Sequence, residues 1–131
     1  MAKRGGEMND DKQLIKHLYE RFNARDMEAV LSTLADDVVW ANGMENTHVH
    51  GPEAVREYWT HQWSVINPHV EPLNTSTAAD GSIVVEVHQV VHDLEGKLLL
   101  DEKVGHVFHI QDGKVTRFDI QPGSQLSTVS H

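Results

Sequence analysis

The sequence predicts a single α+β domain, in which three N-terminal helices pack on the concave face of a curved, mainly antiparallel sheet and close a cone around an internal pocket. Three observations predict it. Apolar residues recur at three- and four-residue steps up to Pro68 and at alternate positions after it, a switch from helical to extended spacing. Glycine-bearing turns then punctuate the second half as a meander requires. Between the halves, Leu34 to Trp59 reads as a helix end, an acidic turn, a short strand, a polar loop and a new helix, with no linker.

Each element has its own justification. Asn9 or Asp10 can cap a first helix whose Leu14, Ile15, Leu18, Tyr19 and Phe22 form one stripe. Asp26 can cap a short second helix with Met27, Val30, Leu31 and Leu34 turned inward. Val38 to Ala41 is the first strand, ending at the turn pair Asn42-Gly43. Pro52 opens the third helix at the first helical position, where its missing N–H is harmless, and Pro68 closes the segment. Residues 70 to 79, Ser82 to His92, Leu98 to Ile110 and Lys114 to Gln121 follow as strands, separated by turns that carry Gly81, Gly96 and Gly113. Residues 1–8 and 122–131 are expected to be tails, leaving 9–121 as the domain.

Composition excludes several function classes. With 131 residues, 39% hydrophobic and 24% charged, the chain is globular and of a size for one core. A net charge of -9, with 11 Lys and Arg scattered along the chain, argues against a nucleic-acid partner. No run is long enough to span a bilayer, and the basic start MAKRGG lacks the apolar stretch of a secretory signal. Without cysteine there are no disulfides or thiol nucleophiles, and the cytoplasm is the expected address.

Three strings then become recognisable together. RDMEAVLSTLADDVVWANG, HGPEAVREYW and VGHVFHIQDGKVTRF resemble the SnoaL-like branch of the nuclear transport factor 2-like superfamily over roughly residues 10 to 121. The resemblance implies a cystatin-like cone, a homodimer, and a pocket for a small apolar molecule of steroid, terpenoid or polyketide type. It implies no cofactor. The superfamily includes ketosteroid isomerases, polyketide cyclases, dehydratases, epoxide hydrolases and non-enzymatic adaptors, so fold alone leaves the activity open. By an ungapped match, Asn42 stands where the isomerase has its general base, and Leu18 where it has an oxyanion tyrosine, with Tyr19 about 100° around the helix. With the length difference placed in the Asp112-Gly113 turn, His106 stands where it has a protonated Asp. If the chain is an enzyme, standard ketosteroid isomerisation is therefore not the expected reaction.

The residues give the site its chemistry. Trp40 and Asn42 leave one face of the first strand; Val55, Tyr58 and Trp59 form a stripe on the third helix. On the long strand Val104, His106, Phe108 and Ile110 share a face, as do Thr116, Phe118 and Ile120 on the last. Trp40, Tyr19, Val55, Tyr58, Trp59, Gln89, Phe108 and Phe118 are thus expected to contact a ligand, with His106 and Asn42 the candidates for proton transfer. For His106 a satisfied core histidine stays open beside that role. On the strand from Ser82 to His92, apolarity turns Ile83, Val85, Val87, Gln89 and Val91 inward; a one-residue slip would instead bring in Glu86 and His88 as an acid and base pair. His48, His50 and His61 form the best metal cluster among ten histidines, but the first two fall in an expected solvated loop, so no metal is expected. The nucleotide and hydrolase motifs are absent.

Overall fold

The computed structural model describes residues 2–42 and 47–121. In chain order the elements are α1 (Ala2–Asn23), α2 (Met27–Leu31), β1 (Leu34–Asn42), β2 (Thr47–His50), α3 (Pro52–Val65), β3 (Ile66–Thr77), β4 (Ile83–Asp93), β5 (Leu98–Gln111) and β6 (Lys114–Gln121). The strands form one sheet in the order β2-β1-β6-β5-β4-β3, antiparallel throughout except where β1 runs parallel to β6. The α+β class and the mainly antiparallel sheet are as the spacing predicts.

The apolar stripe of α1 is buried as expected, with Ile15, Leu18 and Tyr19 in the core and Leu14 and Phe22 packed against it. The helix begins at Ala2 rather than at Asn9 or Asp10, so the expected tail 1–8 is largely helical backbone. Once a helical turn exists, each added residue gains one hydrogen bond, and no proline interrupts this stretch. Asp26 caps α2 as predicted, its carboxylate accepting from the Ala29 N–H at 3.3 Å. Leu34 does not extend that helix; it opens β1, four residues before the expected strand start at Val38. Asp36 and Asp37 are exposed inside β1, where the register with β6 is irregular between Leu34 and Val39. An irregularity of that kind lets a polar pair sit in a strand without entering the core.

Two further differences concern the edges. The expected loop at Thr47–His50 is an edge strand that pairs Val49 with Trp40 and Thr47 with Asn42. Four residues are too few to show a period. Gly51, at φ 88°, turns the chain from β2 into α3, and its N–H is held by the Val38 carbonyl at 2.8 Å. At the other edge β3 begins at Ile66 and runs through Pro68 and Pro72. Proline is tolerated there because β3 has a strand partner, β4, on one side only. Residues 122–131, expected as a tail, and Gly43 of the expected turn lie outside the described residues.

Registers across the sheet set the core. Ile83, Phe108, Phe118 and Trp40 stand opposite one another on four successive strands. This row is buried throughout, under Val55 and Trp59 of α3 and the stripe of α1. The opposite face carries Glu86, bonded to Asn74 at 2.9 Å, and His88, bonded to Asp101 at 2.6 Å. The helices therefore cover one face only.

The end of α1 is tied to the sheet edge by one side chain. Asn23 donates to the Val70 carbonyl at 2.7 Å and accepts from the Val70 N–H at 3.1 Å, substituting for the missing strand partner of β3. Both backbone groups lose that partner in Asn23→Ala, and urea unfolding should show a loss of about 1–3 kcal/mol. Asn23→Asp should cost at least as much, since a carboxylate oxygen would then face the Val70 carbonyl. Unchanged midpoints in both variants would show that the tie contributes nothing to stability.

Candidate functional site

Between the helices and the face of the sheet they cover lies a cavity of about 300 Å³. Its deep end is aromatic. Trp40 stacks on Phe118 at 4.1 Å and meets Trp59 edge-on at 5.1 Å, while Phe108 lies 5.1 Å from Phe118. Such pairs fill the wall in offset or edge contacts, which leaves little room for a polar group without a partner.

Two polar side chains enter this wall from different elements and meet. Tyr19 comes from the buried stripe of α1, His106 from the inward face of β5, and Tyr19 Oη lies 2.7 Å from His106 Nδ1. Both are buried and both line the cavity. Burial pushes the Tyr19 phenol well above its usual pKa and lowers His106 from 6.5 to about 3. The two shifts point the same way, toward a pair of neutral groups.

Neutrality fixes what the pair presents. Tyr19 carries one O–H and His106 one N–H, and a single hydrogen bond between them consumes one of the two. If the phenol donates to Nδ1, the Nε2–H is left; if Nδ1–H donates to the phenol oxygen, the O–H is left. Either arrangement offers one donor at the cavity wall. His106 is correspondingly a poor general base, because a pKa of about 3 lies far below the pH at which it would have to accept a proton. At neutral pH His106 is thus present as the neutral imidazole, hydrogen-bonded to Tyr19.

The other expected site residues divide. Trp40, Tyr19, Tyr58, Trp59, Gln89, Phe108 and Phe118 all line the cavity. Val55 does not; it is wholly buried in the core beneath α3. Asn42 is also buried, but it sits at the end of β1 opposite Thr47 and outside the cavity lining, so it is not brought to His106. Glu86 and His88 stay on the outer face, because the register places Val85 and Val87 inward. His48 pairs with Asp119 at 2.8 Å across the sheet, and no metal-holding group of His, Asp or Glu occurs among the described residues.

Sequence reasoning missed Gln62 and Glu102, both on the cavity. Each had a signal. Glu102 precedes Val104 by two on the inward face of β5, and Gln62 follows Tyr58 by four on α3. Gln62 Nε2 donates to Tyr58 Oη at 3.1 Å.

Comparison with known proteins agrees with this architecture. Residues 15–118 match the SnoaL-like domain family. No curated protein matches the sequence. Among solved structures, an NTF2-like protein of unknown function from Burkholderia pseudomallei K96243 is 24% identical with a TM-score of 0.76, the match covering 92% of this chain and 95% of that one. TerC, co-crystallised with polyporic acid, gives the same 24% and 0.76, covering 92% and 96%. Rv0760c of Mycobacterium tuberculosis, in complex with estradiol-17β-hemisuccinate, is 16% identical with a TM-score of 0.72, covering 83% and 90%. At these identities the structural likeness establishes the fold alone.

The buried neutral histidine makes stability depend on pH with a definite sign. His106 binds a proton in the unfolded chain below about 6.5 but in the folded chain only below about 3, so its contribution is complete above 6.5 and is lost as pH falls toward 3. At pH 5 the loss should be about 2 kcal/mol. Urea titrations of wild type and His106→Leu at pH 7.5 and pH 5 isolate it, and the wild type should lose more stability by that amount. Equal losses would show that His106 is not held neutral.

Proposed function

The chain belongs to the SnoaL-like domain family, and we propose that it binds a small, largely apolar molecule of steroid, terpenoid or polyketide type in the conical cavity, holding one ligand oxygen at the Tyr19–His106 pair. The observation that carries this reading is the single donor left over by that pair in an otherwise aromatic wall. A carbonyl or phenolic oxygen accepts it at no cost to the ligand's apolar body.

The same contact polarises a carbonyl, which is the electrophilic half of isomerase, cyclase or dehydratase chemistry without a cofactor. A second reading, binding without turnover, is favoured by one observation. The carboxylate that lines the cavity, Glu102, stands four residues along β5 from His106, about 13 Å at the usual strand rise. A proton acceptor that far away does not serve a carbon next to the polarised oxygen. A homodimer is part of the proposal on the strength of the family resemblance, and a cytoplasmic address on the absence of cysteine; light scattering in solution tests the dimer.

A thermal-shift screen over steroid, terpenoid and polyketide-like compounds tests the binding, because a ligand of the native state raises its stability. Hits should carry an oxygen acceptor. Their affinity should fall about tenfold in His106→Leu and less in Tyr19→Phe, where the imidazole N–H remains. Mass spectrometry of each hit after incubation with the protein separates turnover from binding. Hits that lack any oxygen acceptor, or that bind His106→Leu as tightly as wild type, would overturn the assignment of the pair.

A further inference from the structure

The lining changes character away from the Tyr19–His106 pair. Back along β5 from His106 the inward face carries Val104, Glu102 and Leu100, all on the cavity. Gln89 of β4 is the ladder partner of Glu102 and lines the cavity too, so the two side chains are neighbours about 5 Å apart at Cβ. From α3 comes Gln62. Its amide nitrogen is used on Tyr58, while Oε1 is buried with no hydrogen-bond partner among the described residues.

A buried acceptor left open costs about 1–3 kcal/mol unless something donates to it. Glu102 adds a half-buried carboxylate to the same cavity and has no hydrogen bond or ion pair among the described residues. Glu102 is thus an acceptor set apart along β5 from the donor left over at the Tyr19–His106 pair. Resting on the cavity reading above, we infer that the ligand is elongated and polar at both ends: an oxygen acceptor at Tyr19–His106, and a hydroxyl that donates to Glu102 about 13 Å away along β5. Glu102 is then the residue that determines specificity for the second end. An apolar molecule with one polar group leaves the Glu102 carboxylate unpaired and is discriminated against, because a site built to bond a hydroxyl rejects the analogue that lacks it.

Two probes of matched shape test this, para-hydroxystilbene and its para,para′-dihydroxy analogue, with affinities measured by isothermal titration calorimetry. Wild type should bind the diol about tenfold more tightly, since the second hydroxyl gains a charge-assisted hydrogen bond. In Glu102→Leu that preference should vanish, with the affinity for the monophenol rising because it no longer leaves the carboxylate unpaired. Glu102→Gln, which keeps shape and an acceptor but not the charge, should retain a preference of about threefold, and it serves if the Leu variant fails to fold. Equal affinities in wild type, or a preference that survives Glu102→Leu, would overturn the two-ended ligand and leave the cavity reading standing. If neither probe binds wild type, both readings fall together.

Discussion

The sheet offers more apolar surface on its helix-covered face than the helices can cover, and the cavity follows from that mismatch. β5 is 14 residues long and so extends about 48 Å, whereas α3, also 14 residues, extends only about 21 Å. Coverage is complete over the row Ile83, Phe108, Phe118 and Trp40, where α1 and α3 both reach the sheet. It fails toward the start of β5, where Leu98 and Leu100 remain exposed. Between those limits large aromatic rings line the cavity without filling it. Trp59, wholly buried, touches Trp40, Phe22 and Trp63, and therefore holds α3 to the sheet and to α1 together.

Within that frame the Tyr19–His106 bond decides the chemistry of the deep end. An imidazole placed alone among Phe108, Phe118 and Trp40 would leave two ring nitrogens without partners. The phenol satisfies one of them from a separate element, so the polar pair also fixes how α1 sits on β5. In a low-dielectric wall such a bond is stronger than in water, and a charge on either partner is correspondingly expensive. Burial thus keeps both groups neutral, and the site is a hydrogen-bonding site before it is an acid or base.

The parts of this arrangement that were legible in the sequence are those set by local periodicity. The stripe of α1, the inward faces of β4, β5 and β6, and the aromatic lining follow from spacing alone, which is why Phe108, Phe118 and Gln89 are found where alternation puts them. What spacing does not contain is how far an element runs and which elements meet. β2 is too short for a period, and the entry of β1 at Leu34 depends on its pairing with β6, 80 residues away in sequence. The family match assigned the oxyanion position to Leu18. The phenol that reaches His106 belongs to Tyr19, one residue on, because helix rotation against the sheet is a tertiary quantity. Asn42 shares a face with Trp40 by alternation, but it is the last residue of β1 and lies outside the cavity lining. Glu102 is legible from the same alternation, two residues before Val104 on the inward face of β5.

The protonation states also limit how the pair can act on a ligand oxygen. Full transfer of a proton from Nε2 to a developing oxyanion, with the phenol proton moving to Nδ1, would leave a tyrosinate in the aromatic wall. The raised pKa of Tyr19 opposes that outcome, because burial penalises the charged phenolate. The alternative, a transfer that leaves imidazolate, is worse still, since a neutral imidazole N–H is a much weaker acid than a phenol. The proton therefore stays on the protein, and the stabilisation available to a carbonyl oxygen is that of a fixed, partly cooperative hydrogen bond. Such a bond favours whatever charge accumulates on the oxygen during reaction, but it cannot itself remove a proton from carbon. Any proton acceptor must come from elsewhere. The cavity supplies one carboxylate, and its separation from the donor makes it better placed to recognise the far end of a ligand than to act on the carbon beside the polarised oxygen.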